Sequence, residues 1–177
     1  MTSELIIPNL LSDHLKILFV GINPGLRSAA VGHHFAGYSN RFWRLLADCG
    51  LTEHRLTAAQ DSCLLNYDFG ITNIVARASA NAAELSRAEF EAGAEAFLAL
   101  IQQHRPRIIA YLGKDSYRYV GKKRNFSWGI QPSSVFAFSL DFVLPNPSGL
   151  NRMPYQEQLY WYQQVKFRLD QTNSSPD

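Results

Sequence analysis

The sequence predicts a single α/β domain with a mostly parallel central sheet. Short apolar runs that end in glycine or in a polar loop alternate with segments of helical periodicity, which is the order of elements in a parallel α/β fold. Long loops follow several of the predicted strands, where folds of this class bind ligands. The 177 residues are 46% hydrophobic, which suffices for the core of one domain and is too high for a disordered chain.

The predicted strands are apolar runs bounded by glycine, proline or polar residues. They cover 16–21, 70–75, 107–113, 134–139 and 140–144. The first and the third end in Gly21 and Gly113, so each reads as a buried strand that enters a loop or a turn. The last one runs directly into a segment rich in proline and glycine. Parallel strands therefore provide the framework, and loops at their ends provide the candidate sites.

The predicted helices are marked by apolar residues at helical spacing and by capping residues. They cover about 40–49, part of 51–68, 87–105, 114–120 and about 154–170. Ser39 or Asn40 caps the first helix, and Gly50 ends it. Ser86 and Glu89 have the spacing of a capping box, which predicts the start of the long helix.

Three loops leave strand ends and should converge on one edge of the sheet: 22–38, 76–81 and 146–152. Loops as long as the first are usually functional in compact domains. We divide the chain into an irregular lead-in (1–14), one domain (15–170) and a flexible tail (171–177).

Composition excludes some classes of protein and leaves others open. The chain contains no apolar run of the roughly 20 residues that a membrane span requires, and its start does not resemble a secretory signal. We expect a cytoplasmic protein, nucleoid-associated if bacterial, with no membrane contact.

Cys49 and Cys63 do not form a metal-binding pair, so two reduced, mostly buried thiols are predicted. The net charge of +2 neither demands nor excludes nucleic acid.

The first loop carries Asn23 within Gly21-Ile22-Asn23-Pro24-Gly25. Taken locally, this segment is typical of a tight turn, and it lacks the Lys-Ser/Thr ending of a nucleotide-binding loop. Further along, Phe35 follows two histidines, which indicates either a stacking platform for a planar ligand or a residue of the core.

The last loop places Leu150 on a glycine-containing tip. An exposed leucine at such a tip is typical of a wedge that fills the gap left by a displaced base, and the alternative is a side chain folded onto the domain. A basic cluster that includes Lys122, Lys123 and Arg124 indicates either phosphate contacts or an ordinary solvated face, and charge alone favours the latter.

Five segments in order resemble the mismatch-specific uracil/thymine DNA glycosylase family, within the uracil-DNA glycosylase superfamily. They are 21–25, 32–35, 40–43, 70–73 and 146–152, and the resemblance covers about 15–170. It implies a three-layer α/β/α fold and a monofunctional hydrolase without metal or cofactor. The first loop resembles the thymine branch of the family, and the last loop resembles the bacterial mismatch-uracil branch.

The resemblance also implies a role for each segment. Asn23 would hold the attacking water, Phe35 would stack on the flipped base, and Leu150 would enter the vacated space. The remaining base-pocket residues would be Gly21, Ile22, Ser28, His34 and Asn73, of which Asn73 would face the base edge and Ser28 and His34 would tune thymine against uracil. The remaining mismatch-loop residues would be Asn146, Ser148, Gly149, Asn151 and Arg152. The expected partner is double-stranded DNA with a mispaired or damaged base, and we expect a monomer.

The chemistry of an amide limits what Asn23 could do in such an enzyme. A carboxamide does not titrate, so it could position a water molecule but could not act as a general base. Two alternatives remain open at this point. One is a damage-binding module without catalysis on the same fold, and the other is an α/β enzyme that binds a small nucleotide in the same crevice.

Overall fold

The computed structural model describes residues 6–174, which form a five-stranded sheet in the order β2-β1-β3-β5-β4. The strands are β1 (Ile17–Gly21), β2 (Phe69–Asn73), β3 (Ile108–Leu112), β4 (Gly129–Ile130) and β5 (Leu140–Leu144). Strands β1, β2, β3 and β5 are parallel to their neighbours, and β4 pairs with β5 in the antiparallel direction. The predicted α/β class and its mostly parallel sheet are confirmed.

Helices cover both faces of the sheet. They are α1 (Leu26–Val31), α2 (Phe42–Asp48), α3 (Arg87–His104), α4 (Lys114–Gly121) and α5 (Tyr155–Asn173), together with 3-10 helices at Ala58–Tyr67 and Ala82–Glu84. Helices α2 and α5 pack on one face, and α3 and α4 pack on the other. This arrangement is the three-layer α/β/α architecture that the resemblance implies.

Alternation along the buried strands divides the interior into two cores. In β1, Ile17 and Phe19 face α2 and α5, whereas Leu18 and Val20 face α3 and α4. All five residues of β1 and of β3 are buried, because helices cover both faces of each strand. These strands therefore consist almost entirely of apolar residues, which is the pattern that made them visible in the sequence.

The capping prediction for α3 is confirmed, and at α2 the N-cap is Arg41 while Asn40 bonds the first helical residue. The Ser86 side chain accepts a hydrogen bond from the Glu89 backbone N–H, and the Glu89 carboxylate accepts one from the Ser86 N–H, which is the reciprocal capping box of α3. At α2, the Asn40 side chain accepts a hydrogen bond from the Phe42 N–H at 2.9 Å.

Two of the predicted elements differ from the structure. The strand predicted over 134–139 is wrong, because Asp141 and a turn occupy the backbone groups that a strand would need: the Val135 N–H donates to the Asp141 carboxylate at 2.9 Å, and the Ser139 N–H donates to the Phe136 carbonyl oxygen at 3.2 Å. The short β4 pairs with β5 instead. The loop predicted over 22–38 contains α1, whose end residues Leu26 and Val31 are exposed.

Both ends of the described chain pack on the domain. Leu10 exchanges two backbone hydrogen bonds with Ile71, so the lead-in pairs with β2. Helix α5 extends to Asn173, so 171–173 belong to the helix, and the rest of the predicted tail after Ser174 lies outside the described residues. Within 6–174, no helix is both long and apolar enough to cross a membrane.

Candidate active site

The three loops that were predicted to converge surround one cavity at the carboxyl edge of the sheet. The cavity has a volume of about 430 Å³, and its walls come from the segments that follow β1, β2 and β5. The predicted site residues in its lining are Gly21, Ile22, Asn23, Ser28, His34, Phe35, Asn73, Asn146, Ser148, Gly149, Leu150 and Asn151. Arg152, Lys122, Lys123 and Arg124 do not line it. Segments far apart in sequence therefore build one concave site.

Asn23 is held in one orientation by the loop after β2. Its amide nitrogen donates to the Arg77 carbonyl oxygen at 2.9 Å and to the Ser79 hydroxyl at 2.8 Å, which uses both amide protons. The Asn23 Oδ1 atom accepts no hydrogen bond from the described residues, and Asn23 lines the cavity. An acceptor without a protein partner is therefore available at the cavity wall.

An ion pair supports the backbone that holds Asn23. The Arg77 guanidinium donates to the two Glu89 carboxylate oxygens at 2.6 and 3.2 Å, which ties the loop to the first turn of α3. The hydrogen bond from Arg77, followed by one from the Ser86 backbone, lowers the pKa of Glu89 to about 2. Glu89 is therefore ionised throughout the neutral range, and the pair persists there.

Gly21 makes room for Asn73 across the end of the sheet. The two residues are partners in the β1–β2 register, and a Cβ atom on Gly21 would collide with Asn73 Oδ1 and lie 3.8 Å from the Phe35 ring. The Asn73 carboxamide makes no hydrogen bond with the described residues, and it lines the cavity. Its donor and its acceptor are both free to meet a polar ligand edge.

Asp61 organises the His-His-Phe segment, and the sequence analysis missed it. This buried carboxylate accepts a hydrogen bond from the His34 backbone N–H at 2.9 Å and faces the His33 Nδ1 atom at 3.2 Å. His34 Nε2 donates to the Pro8 carbonyl oxygen at 2.9 Å. Burial lowers the pKa of His34, so its ring is neutral at neutral pH. Nothing in the 3-10 helix around Asp61 indicated this role, because its partners lie almost 30 positions away.

Phe35 is both a member of the core and part of the cavity wall. Its ring stacks on Phe42 at a centroid distance of 4.0 Å and meets Trp43 edge-on at 6.5 Å. Its backbone has a positive φ of 52°, an uncommon conformation for a bulky residue that occurs mainly at functional or strained positions. The core packing that the sequence offered as one alternative is therefore confirmed, and the ring also forms part of the cavity wall; stacking on a planar ligand stays a prediction.

Ser28 closes the loop on itself. Its hydroxyl accepts a hydrogen bond from the Ala36 N–H at 2.9 Å, and its carbonyl oxygen accepts hydrogen bonds from Gly32 and His33. The position of Ser28 in the cavity wall is thus determined by the same bonds that shape the segment leading to Phe35.

The loop 146–152 is rigid at its base and exposed at its tip. Asn146 Oδ1 accepts a hydrogen bond from the Ser148 N–H, and the Asn151 amide donates to the Asn146 carbonyl oxygen, both at 2.9 Å. Leu150 is 74% exposed, so it does not fold onto the domain. Arg152 is also exposed and lies beyond the cavity lining.

Arg41 anchors this loop to the start of α2, and the sequence analysis missed this contact as well. The Arg41 N–H donates to the Pro147 carbonyl oxygen at 2.9 Å, and its guanidinium donates to the Asn151 carbonyl oxygen at 3.1 Å. A Cβ atom on Gly149 would collide with Ser39. The short segment between the first loop and α2 is therefore in direct contact with the last loop, and Ser39 and Gly149 line the cavity at this contact.

Comparison with known protein families establishes the superfamily of this chain. The family model of the Uracil DNA glycosylase superfamily matches residues 8–167. The chain belongs to the uracil DNA glycosylase superfamily. It is thus a DNA glycosylase, and its substrate is DNA.

A solved structure agrees with this assignment at the level of the fold. It is an NMR structure of a Methanosarcina acetivorans protein that is provisionally assigned as a uracil DNA glycosylase. The two folds are similar with a TM-score of 0.65 at 17% sequence identity, and the match covers 94% of this chain and 98% of the other.

The basic residues of this glycosylase divide between two regions. Lys122 and Lys123 follow the end of α4 that is remote from the cavity, and Lys123 donates to the Ser133 hydroxyl at 2.9 Å. Arg124 instead lines a second cavity together with Lys114 and Arg118. Lys122 and Lys123 thus line a different depression from Arg124, and contact of these three residues with phosphate stays a prediction.

Helix α4 carries side chains of both charges beside the main cavity. Asp115 lines the main cavity and pairs with Arg118 at 3.2 Å. Lys114 lies over the Trp128 ring at 4.9 Å. Within residues 6–174, no three His, Cys, Asp or Glu side chains are grouped so that they could hold a metal ion.

Proposed function

We propose that this protein is a monofunctional glycosylase that hydrolyses the N-glycosidic bond of uracil mispaired with guanine, and of thymine more slowly. Such an enzyme would initiate base excision repair. The observation that carries the proposal is the orientation of Asn23, whose amide protons are bound by Arg77 and Ser79. Its free oxygen can hold a water molecule at the cavity wall without any change of side-chain conformation.

The proposed reaction begins with extrusion of the target nucleotide, because the glycosidic bond is inaccessible in a stacked duplex. A mispaired base costs less to extrude than a paired one, which favours G·U over A·U. Leu150, exposed on a loop with a rigid base, would enter the vacated space. The Phe35 ring would stack on the extruded base, and the Asn73 carboxamide would meet its polar edge.

Bond cleavage leaves positive charge on the sugar and negative charge on the departing base. The Phe35 backbone N–H donates to no described residue, so it is a candidate donor to a uracil carbonyl oxygen. Loss of one donor of this kind typically costs about 3–4 kcal/mol in a transition state. Asn23 Oδ1 would hold the water that attacks the sugar carbon, and this is catalysis by positioning because the amide takes up no proton.

Two consequences follow from the absence of a titrating group at position 23. We expect slow turnover, and we expect rates with little dependence on pH near neutrality. Burial lowers the pKa of His34, so this ring does not gain a proton in that range either. A steep bell-shaped pH profile centred near neutrality would contradict the mechanism.

Discrimination between uracil and thymine depends on a single methyl group. A pocket typically gains or loses only ~1–3 kcal/mol for such a group. Ser28 lies in the wall and is held by Ala36, so the pocket has limited freedom to enlarge. We expect thymine to be released about 10- to 200-fold more slowly than uracil, and faster release from G·T than from G·U would refute this expectation.

The experiment that tests the proposed function is a single-turnover base-release panel. The duplexes carry uracil or thymine opposite guanine, and uracil opposite adenine. The Asn23→Ala variant should lose at least about 100-fold in rate, as expected when a reacting group is misplaced, and should bind duplex normally. Asn173→Ala removes an exposed asparagine at the end of α5 and serves as the matched control.

Each of the other outcomes of this panel leads to a different conclusion. Duplex binding without any base release would indicate a damage-binding module. Binding of free nucleotides at micromolar concentrations, without binding to DNA, would indicate a small-nucleotide enzyme. Loss of duplex binding in Asn23→Ala would show that Asn23 has a structural role.

Phosphate contacts form a separate part of the proposal. Arg124, Lys114 and Arg118 line one cavity beside α4 and are better placed for the DNA backbone than Lys122 and Lys123, which lie at the remote end of that helix. Removing a cation that meets a phosphate should reduce the salt slope of duplex binding by about one.

A further inference from the structure

A tyrosine at the mouth of the cavity is exposed to an unusual degree. Tyr38 is 90% exposed, more than any other large hydrophobic side chain in the described part of the chain. The Asn40 N–H donates to the Gly37 carbonyl oxygen at 3.0 Å, which closes a turn with Tyr38 at its tip. Gly37 and Asn40 line the cavity, so the ring stands directly at its rim.

Arg27 holds this ring in place. Its guanidinium carbon lies 3.8 Å from the Tyr38 ring centroid, and its Nε atom donates to the Ala36 carbonyl oxygen at 2.8 Å. Arg27 forms no ion pair with a carboxylate among residues 6–174, and it lines the cavity. A guanidinium that covers a ring with its face keeps its remaining N–H donors in its own plane, where they can reach a phosphate. The aromatic surface and an uncompensated positive charge are thus presented together.

The Tyr38 turn is in contact with the loop that carries Leu150. A Cβ atom on Gly149 would collide with the side chain and the carbonyl oxygen of Ser39, so the tips of the two segments touch. Leu150 is 74% exposed. Tyr38 and Leu150 are therefore exposed side chains that each adjoin this contact between Ser39 and Gly149, and both contacting residues line the cavity.

We infer that Tyr38 and Arg27 form a second DNA contact beside Leu150. The Tyr38 ring stacks on the nucleotide adjoining the extruded one, and the Arg27 guanidinium pairs with the neighbouring phosphate. This inference rests on the proposed base-flipping function, because extrusion of one nucleotide uncovers the face of the next. Stacking between an aromatic side chain and a base tolerates any sequence, so the contact strengthens binding without reading the flanking base.

The test measures binding to a duplex that cannot be cut. The probe is a fluorescein-labelled duplex with a tetrahydrofuran abasic analogue opposite guanine, and fluorescence anisotropy gives the dissociation constant. Tyr38→Ala should weaken binding about tenfold, which corresponds to ~1.4 kcal/mol, whereas Tyr38→Phe should bind within about twofold of the unchanged protein, since the ring supplies the contact. Tyr160→Ala removes another exposed tyrosine, on α5, and should have no effect.

Salt dependence separates the two residues of the contact. Arg27→Ala should weaken binding and reduce the slope of log affinity against log salt by about one, whereas Tyr38→Ala should leave this slope unchanged. Binding by Tyr38→Ala within about twofold of the unchanged protein would overturn the inference. Absence of duplex binding by the unchanged protein would overturn it as well.

Failure of this inference is distinguishable from failure of the proposed function. If the unchanged protein releases no uracil but Tyr38→Ala still loses duplex affinity, the contact stands and the proposed reaction is wrong. If uracil is released and Tyr38→Ala binds normally, the reaction stands and the contact is wrong.

Discussion

Replacing Ser79 with alanine tests whether the loop after β2 orients the Asn23 carboxamide. The Ser79 hydroxyl is buried; it accepts a hydrogen bond from Asn23 at 2.8 Å and donates one to the Asn81 carbonyl oxygen at 2.8 Å. Alanine removes both bonds, each of which contributes a net ~0.5–1.5 kcal/mol. We expect the free energy of unfolding to fall by ~1–3 kcal/mol and the melting temperature to fall by roughly 2–12 °C.

The effect on catalysis follows from the single restraint that remains. Asn23 would still donate to the Arg77 carbonyl oxygen at 2.9 Å, but the terminal torsion of an amide is broad, so one bond holds its plane loosely. If the lost bond contributes ~1.4 kcal/mol to the orientation that the transition state requires, base release slows about tenfold. The affinity for duplex should stay unchanged, because the Ser79 hydroxyl is directed at Asn23 and Asn81.

The assay is single-turnover release of uracil from a G·U duplex, well below the melting temperature of the variant, with duplex affinity measured in parallel. Ser133→Ala is the matched control, since it removes an exposed serine that contacts Lys123 away from the cavity. Release at the unchanged rate by a folded Ser79→Ala protein would refute the argument that this loop orients Asn23. A loss of duplex affinity equal to the loss of rate would place Ser79 in DNA binding instead.

Three further predictions concern separate parts of the molecule. Leu150→Ala should slow uracil release from duplex DNA by about tenfold or more and from single strands much less, because unstacking costs a few kcal/mol only in a duplex; equal losses would contradict the wedge. Gly21→Ala should displace Asn73, since the added Cβ meets Asn73 Oδ1. This variant should lower kcat/KM for uracil by about tenfold, and its thermal unfolding should stay cooperative. An unchanged kcat/KM would exclude Asn73 from base binding. Burial raises the pKa of Asp141 from 3.8 to about 6, so the folded protein binds more protons than the unfolded chain between these values, and stability falls as the pH rises through this window. Between about pH 4 and about pH 7 the unchanged protein should lose ~2 kcal/mol of unfolding free energy through this group. Asp141→Asn should remove that loss, as measured by urea unfolding at each pH; parallel pH profiles for the two proteins would contradict it.

The strands and the position of the site were predictable for a definite physical reason. Strands β1 and β3 are buried on both faces, so their sequences are continuous apolar runs that end where the chain leaves the sheet. The carboxyl ends of parallel strands lie on one edge, so the convergence of the three loops followed from the alternation of elements alone. The long helix α3 was predictable because its capping box is local.

The two elements that were predicted wrongly, the strand over 134–139 and the loop over 22–38, lack such a local signal in the sequence. The residues around 134–139 have the composition of a strand, but Asp141 accepts the Val135 N–H through its side chain, and composition does not encode that competition. Helix α1 was missed because it buries only Ser28 and Ala29, so it has no apolar face to show in the sequence.

The sequence by itself determined which chemical groups this protein can offer: an amide at position 23, an aromatic ring at 35, an amide at 73 and a leucine at the tip of the last loop. Only the tertiary structure decided how they act. Asn23 has its amide protons bound by residues 54 and 56 positions away, so its oxygen remains for the cavity. A hydrogen bond depends on distance and angle in space, and such distant partners leave no periodic trace along the chain. The same reason hid Asp61 and Arg41 from the sequence, and it hid the contact between Ser39 and Gly149 that joins the Tyr38 turn to the loop of Leu150.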